Sequence, residues 1–108
     1  MARWWAEGFD LLVTPTIAAP PPRIGELAEA PDDPDIGTSK ALALMPFTAQ
    51  FNVTGQPAVS LPLAWSSAGL PIGVQLVAAY SGEDVLIRLA SQLEQAQPWS
   101  DRRPRIFA

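Results

Sequence analysis

Residues 41–82 carry no Asp, Glu, Lys or Arg, although both flanks are charged in the ordinary way. A tract of this kind belongs either in a bilayer or in a protein interior. Pro46, Pro57, Pro62 and Pro71 divide it, so it never reaches the roughly 20 unbroken apolar residues that a membrane-spanning helix needs. No membrane is expected as a partner, and the tract reads as the core of a globular unit. The chain has 108 residues in all, and a domain of that size buries only about two-thirds of its unfolded surface. A neutral block covering more than a third of the length is more interior than such a chain can enclose. The sequence therefore predicts further protein packed against it, either a missing N-terminal portion or another copy of itself.

Charge and residue usage narrow the chemistry. A formal net charge of −4 leaves no basic footprint, so nucleic acid is not an expected partner. The absence of cysteine excludes disulfides and thiolate metal sites, and the absence of histidine removes the commonest general base and metal ligand. No metal or organic cofactor is expected. The opening residues lack the charged and apolar regions of a secretory leader, which makes the cytoplasm the default location.

Local pattern gives an α/β chain. MARWWAEG reads as the end of a helix, with Gly8 as its left-handed C-terminal residue, and a strand follows over 10–14. Residues 19–37 form a Pro-rich, acidic connector, stiff at Pro20, Pro21 and Pro22. TSKALALMPFTAQFNVTG is helical in two pieces, with Thr38 or Ser39 as N-cap, Pro46 opening the second piece and Gly55 ending it. PAVSLPLA and PIGVQLVAA alternate as two strands paired through WSSAGL, where Gly69 supplies the positive φ of the turn. Pro57 and Pro71 stand at strand starts, and Pro62 demands an edge strand or a bulge. SGEDVLIRLASQLEQA is an amphipathic helix: Ser81 and Asp84 resemble a capping box, Asp84 meets Arg88 at i,i+4, and Val85, Leu86, Leu89, Ala90 and Leu93 share one face. PWSDRRPRIFA closes the chain as an irregular tail.

Few side chains in this set could do chemistry. Ser66 and Ser67 with Lys40 could form a hydrolytic centre, in which one hydroxyl attacks and its proton passes through the other to an amine. The serines sit in the expected hairpin turn, with no glycine cradle for an oxyanion, so turn chemistry accounts for them. Lys40, at a helix start, reads as a solvated ammonium. Asp32, Asp33 and Asp35 lack the donor spacing of a calcium loop and read as a solvated tip. Asn52-Val53-Thr54 is formally a glycosylation acceptor, but its place before a buried strand makes it part of a helix-to-strand turn. Trp4 and Trp5 could rest at a membrane interface; on a short helix they read as packing residues.

In order and spacing, DLLVTPT, FNVTGQPAVSLPL and GLPIGVQLVAAYSGEDVLIRLASQLEQAQPW resemble the C-terminal part of the amidase signature hydrolases. The pieces that carry the resemblance are N-x-T-G-Q-P-A at residues 52–58, G-L-P-I-G-V-Q-L at 69–76, and the amphipathic helix that runs on to Pro98-Trp99. The resemblance implies an α/β/α sandwich around a mixed, mostly parallel sheet, of which residues 1–108 would be a single C-terminal segment supplying a few strands and flanking helices. It implies amide hydrolysis by a nucleophilic serine, a bridging cis-serine and a lysine set in a Gly/Ser-rich signature upstream. No such signature occurs in this sequence, and Ser66-Ser67-Ala68-Gly69 does not match it, so no catalytic residue can be assigned here.

The resemblance leaves this chain one wall of the substrate pocket, at Thr16, Met45, Phe47, Phe51 and Asn52. Relatives that use glutamine hold an acidic substrate-binding residue at a position similar to the one just before Pro46, where this chain has the apolar Ala43, Leu44 and Met45. A small apolar or aryl amide is therefore the expected substrate of the full-length enzyme, and no turnover is expected of the chain alone. The alternative is a non-catalytic binding or assembly module derived from an amidase tail.

Overall fold

The computed structural model describes residues 2–104. Three strands, β1 (Leu11–Pro15), β2 (Ala58–Trp65) and β3 (Pro71–Ala78), form one antiparallel sheet in the order β1-β3-β2. The chain is α/β, as expected. β1 and β2 each pair antiparallel with β3, so the parallel pairing implied for the wider sandwich is not found among them. Pro71 opens β3 and Pro57 lies just ahead of β2. Pro62 sits on an edge strand and at a bulge together, since the β2–β3 register slips between Pro62 and Ala64.

Among the described residues there are four helices: α1 (Ala2–Ala6), α2 (Ile36–Leu44), α3 (Ala49–Thr54) and α4 (Glu83–Ala96). Gly55 ends α3 at φ 73°, a conformation that costs a glycine nothing, and its N–H returns to the Phe51 carbonyl. The helix starts differ from the sequence expectation. Asp35, not Thr38 or Ser39, is the N-cap of α2, and its carbonyl accepts from the Ser39 N–H at 2.9 Å. Pro46 lies in a turn, and α3 begins only at Ala49. Gly82, not Ser81, caps α4, and no side chain bonds the cap. Ser81 is turned to φ 64° and serves the strand-to-helix turn instead. Asn52 and Thr54 fall inside α3 rather than beyond it, and the Thr54 hydroxyl donates to the Gln50 carbonyl.

The core lies between the sheet and α4. Leu61, Leu76, Ala78 and Leu86 are buried there, with Leu11, Val59, Leu63, Val74, Leu89, Ala90, Leu93 and Trp99 packed around them. Leu86, Leu89, Ala90 and Leu93 of the expected α4 stripe pack in this core, Val85 is half-buried outside it, and Arg88 meets Asp84 at 2.7 Å on the outer side. At the other end, Trp4 stacks on Phe9 at 4.5 Å and meets Trp5 edge-on at 4.6 Å, so the two tryptophans do pack. The tail is irregular through residue 104, with Arg102 over the Trp65 ring; its last four residues lie outside the described residues.

This core is small for the chain. The accessible surface is 7997 Å², whereas a compact chain of this size exposes about 5,800 Å². The radius of gyration is 16.7 Å against about 13 Å expected. Within the neutral tract Leu42, Val53, Leu70 and Ile72 remain exposed. Among the described residues, no helix is long and apolar enough to cross a membrane.

Candidate functional site

Side chains alternate across a strand, so the residues between the core positions point to the opposite face of the sheet. On that face lie Thr14 and Thr16 from the β1 end, Ser60 from β2, and Gly73 and Gln75 from β3. Thr16 and Ser60 come from opposite sides of β3, yet their hydroxyl oxygens are 2.6 Å apart. Gly73 makes this possible. A Cβ at its position would stand 2.7 Å from Thr16 Oγ1 and 2.8 Å from Ser60 Oγ. One hydroxyl of the pair donates to the other, which leaves one O–H free to donate outward.

Gln75 is buried, with 5% of its surface exposed. Its Nε2 donates to Thr14 Oγ1 at 3.0 Å and to the Phe47 carbonyl at 2.8 Å. These bonds fasten the α2–α3 junction to the sheet. The Ala18 N–H adds a second tie by donating to the Leu44 carbonyl at 3.0 Å. Beside the hydroxyl pair is a hollow of about 210 Å³, lined by Ile17, Ala18, Pro21, Leu70, Ile72 and Gly73 among others. The face therefore joins a short polar row to an apolar recess, an arrangement that can hold an amide or carbonyl oxygen beside a hydrocarbon group.

The residues singled out from sequence take up different places around this face. Thr16 is part of the hydroxyl pair. Phe47 is half-buried and reaches the row through its main chain. Met45 is exposed at the C-terminal end of α2, and Asn52 is exposed on α3. Phe51 is buried, with 3% exposed, and belongs to the packing of α3. Ser60, Gly73 and Gln75 were not singled out. Their signal was the alternation itself: small or polar residues at every second position of two otherwise apolar strands.

The remaining candidates serve local backbone. Ser66 Oγ accepts from the Leu70 N–H at 3.1 Å, as a turn serine does. Lys40 Nζ donates to the Glu26 carbonyl at 3.4 Å. Asp33 Oδ1 accepts from the Asp35 N–H. Among the described residues, no group of three or more acidic side chains is placed to hold a metal ion.

Residues 1–87 match the family model described as Amidase. The chain belongs to the amidase family. It is 50% identical to the 6-aminohexanoate-cyclic-dimer hydrolase of Paenarthrobacter ureafaciens, over 97% of this chain and 22% of that protein. The enzyme of the same name from Pseudomonas sp. (strain NK87) matches equally well. A solved structure of 6-aminohexanoate cyclic dimer hydrolase superposes with a TM-score of 0.85 at 50% identity, covering 95% of this chain and 22% of that one. This amidase chain thus spans about a fifth of the length of the relatives it matches, which is the relation of a segment to a whole.

Proposed function

We propose that these 108 residues are the C-terminal segment of a longer amidase that hydrolyses small apolar amides through a serine acyl-enzyme. The observation that carries this reading is the match to the cyclic-dimer hydrolases, along nearly all of this chain and only 22% of theirs. The excess surface and the bare apolar residues support it, because a self-sufficient module would have covered them. The remaining portion would supply the attacking serine, the bridging serine and the lysine. The serine oxygen bonds to the carbonyl carbon, the C–N bond breaks, the amine leaves with a proton, and water then frees the acid. The setting is the cytoplasm.

This segment contributes one wall of the cleft, at Thr16, Met45, Phe47 and Asn52, with Phe51 buried behind it. Ser60, Gly73 and Gln75 support that wall from the sheet. The apolar hollow and the uncharged run Ala43, Leu44 and Met45 favour methylene or aryl groups over the charged head of an amino acid amide. The relatives' named substrate fits, since 6-aminohexanoate units join two amides by runs of methylenes. The isolated chain turns nothing over, because Ser66 and Lys40 are both engaged with backbone groups and, among the described residues, no hydroxyl is paired with a base.

The test is a graft. The 108 residues replace the matching segment of the Paenarthrobacter ureafaciens relative, and amide hydrolysis is measured for the graft and for the chain alone. A folded graft retains activity within about tenfold of the relative, and the chain alone shows none. A folded but inactive graft, or enzyme-like turnover by the isolated chain, would overturn the reading.

A further inference from the structure

The last four residues of β3, Gln75 to Ala78, are buried in succession, and three of them are apolar. Gln75 is the exception. Among the described residues it is the one polar side chain in the buried set. A branched apolar residue would suit such a strand position better, and a buried amide is tolerated only where its hydrogen bonds are met. What the amide adds is reach. One donor goes to Thr14 Oγ1, its cross-strand neighbour on β1, at 3.0 Å, and the other to the Phe47 carbonyl at 2.8 Å, in the turn between α2 and α3. The first bond orients the side chain; the second spends it on a distant turn.

That turn has little else to fix it. α4 lies along β2 and β3, and neither α2 nor α3 makes a comparable contact with a strand. The buried ring of Phe51 anchors α3, and ahead of it two hydrogen bonds bracket the junction: the Ala18 N–H on the Leu44 carbonyl at 3.0 Å, and Gln75 on the Phe47 carbonyl. Met45 and Pro46 lie between the two fastened carbonyls. The first bond runs from main chain to main chain and is open to almost any sequence. The second depends on a single side chain, so the place of Phe47 is written at position 75.

We infer that Gln75 is a positioning residue for substrate binding: by holding the Phe47 carbonyl it sets where Met45 and Phe47 stand against the hydrocarbon part of the substrate, which Gln75 itself does not touch. The role rests on the reading under Proposed function, which places Met45 and Phe47 in the cleft wall. Met45 is exposed and Phe47 half-buried, so both side chains have surface to offer a ligand. An apolar wall grips methylenes alike in the ground state and at the transition state, so its displacement weakens binding and leaves the chemical steps alone. The effect of losing Gln75 therefore falls on KM.

The graft described above, assayed on the cyclic dimer of 6-aminohexanoate, carries the test. Gln75→Leu and Gln75→Met keep most of the bulk and delete both donors; each raises KM about tenfold while kcat stays within about threefold of the parent graft. Leu86→Ala, which loosens the core on the opposite face of the sheet, controls for stability alone and leaves KM within about twofold. An active graft whose Gln75 variants keep the parent KM overturns the positioning role and leaves the amidase reading standing. A fall in kcat at constant KM, the mark of a smaller folded fraction, overturns it too, as does an equal rise of KM in Leu86→Ala. If neither Gln75 variant folds, Thr14→Val decides, since it removes the acceptor that orients the amide: KM about threefold higher supports the role, and an unchanged KM overturns it. A graft that folds without activity, or cannot fold, counts against the amidase reading and the positioning role together.

Discussion

Gly73 sits in the middle of β3, where a strand ordinarily gains from a branched side chain. Its lack of one lets two hydroxyls from non-adjacent strands meet above it. Gly73→Ala drives a methyl group against Thr16 Oγ1 and Ser60 Oγ, and it is expected to destabilise the chain by about 1–3 kcal/mol in urea unfolding. Ser60→Ala alone costs about 1 kcal/mol, the usual worth of one hydrogen bond. Together they cost less than the sum, because Ser60→Ala removes one of the atoms the new methyl strikes; strict additivity would mean that the three groups do not share one space. Gln75→Leu keeps the bulk but deletes both donated bonds, leaving the Phe47 carbonyl without its partner. A loss of about 1–3 kcal/mol follows, with faster amide exchange across residues 45–48 as the junction comes loose.

Among the elements, α4 was the most legible from sequence and the hydroxyl row the least. An apolar stripe at helical spacing declares its own buried face, and Leu86, Leu89, Ala90 and Leu93 do pack on the sheet. Leu86→Ala is accordingly expected to cost about 2–5 kcal/mol, whereas Asp84→Ala changes stability by no more than about 0.5 kcal/mol, since its ion pair with Arg88 is largely solvated. Thermal unfolding of both variants checks the contrast. Capping residues identify a helix start only when the surrounding backbone agrees. At α2 the cap is Asp35, ahead of Thr38 and Ser39, and at α4 the positive φ of Ser81 leaves Gly82 as the cap. Thr16, Ser60 and Gly73 could not be joined from sequence, because their meeting depends on the register of two strand pairs, which no spacing in the chain reveals. Met45 and Phe47, proposed for the cleft wall, stand out as apolar groups beside a proline, but what holds the Phe47 main chain is a bond from Gln75, 28 residues away.

For the molecule as a whole, the neutral tract and the accessible surface point the same way. The unfolded chain would expose about 16,800 Å² by the usual scaling with mass, so folding to 7997 Å² hides little more than half of it, where a compact chain of this size hides about two-thirds. The denaturant slope m follows the area exposed on unfolding, which makes it about four-fifths of the value typical for this length. Small-angle scattering in dilute solution should give a radius near the 16.7 Å of the structure, above the roughly 13 Å of a compact domain. A chain that instead shrinks to the compact radius and unfolds with an ordinary m would have closed its bare face on itself. Leu42, Val53 and Ile72 would then be covered from within.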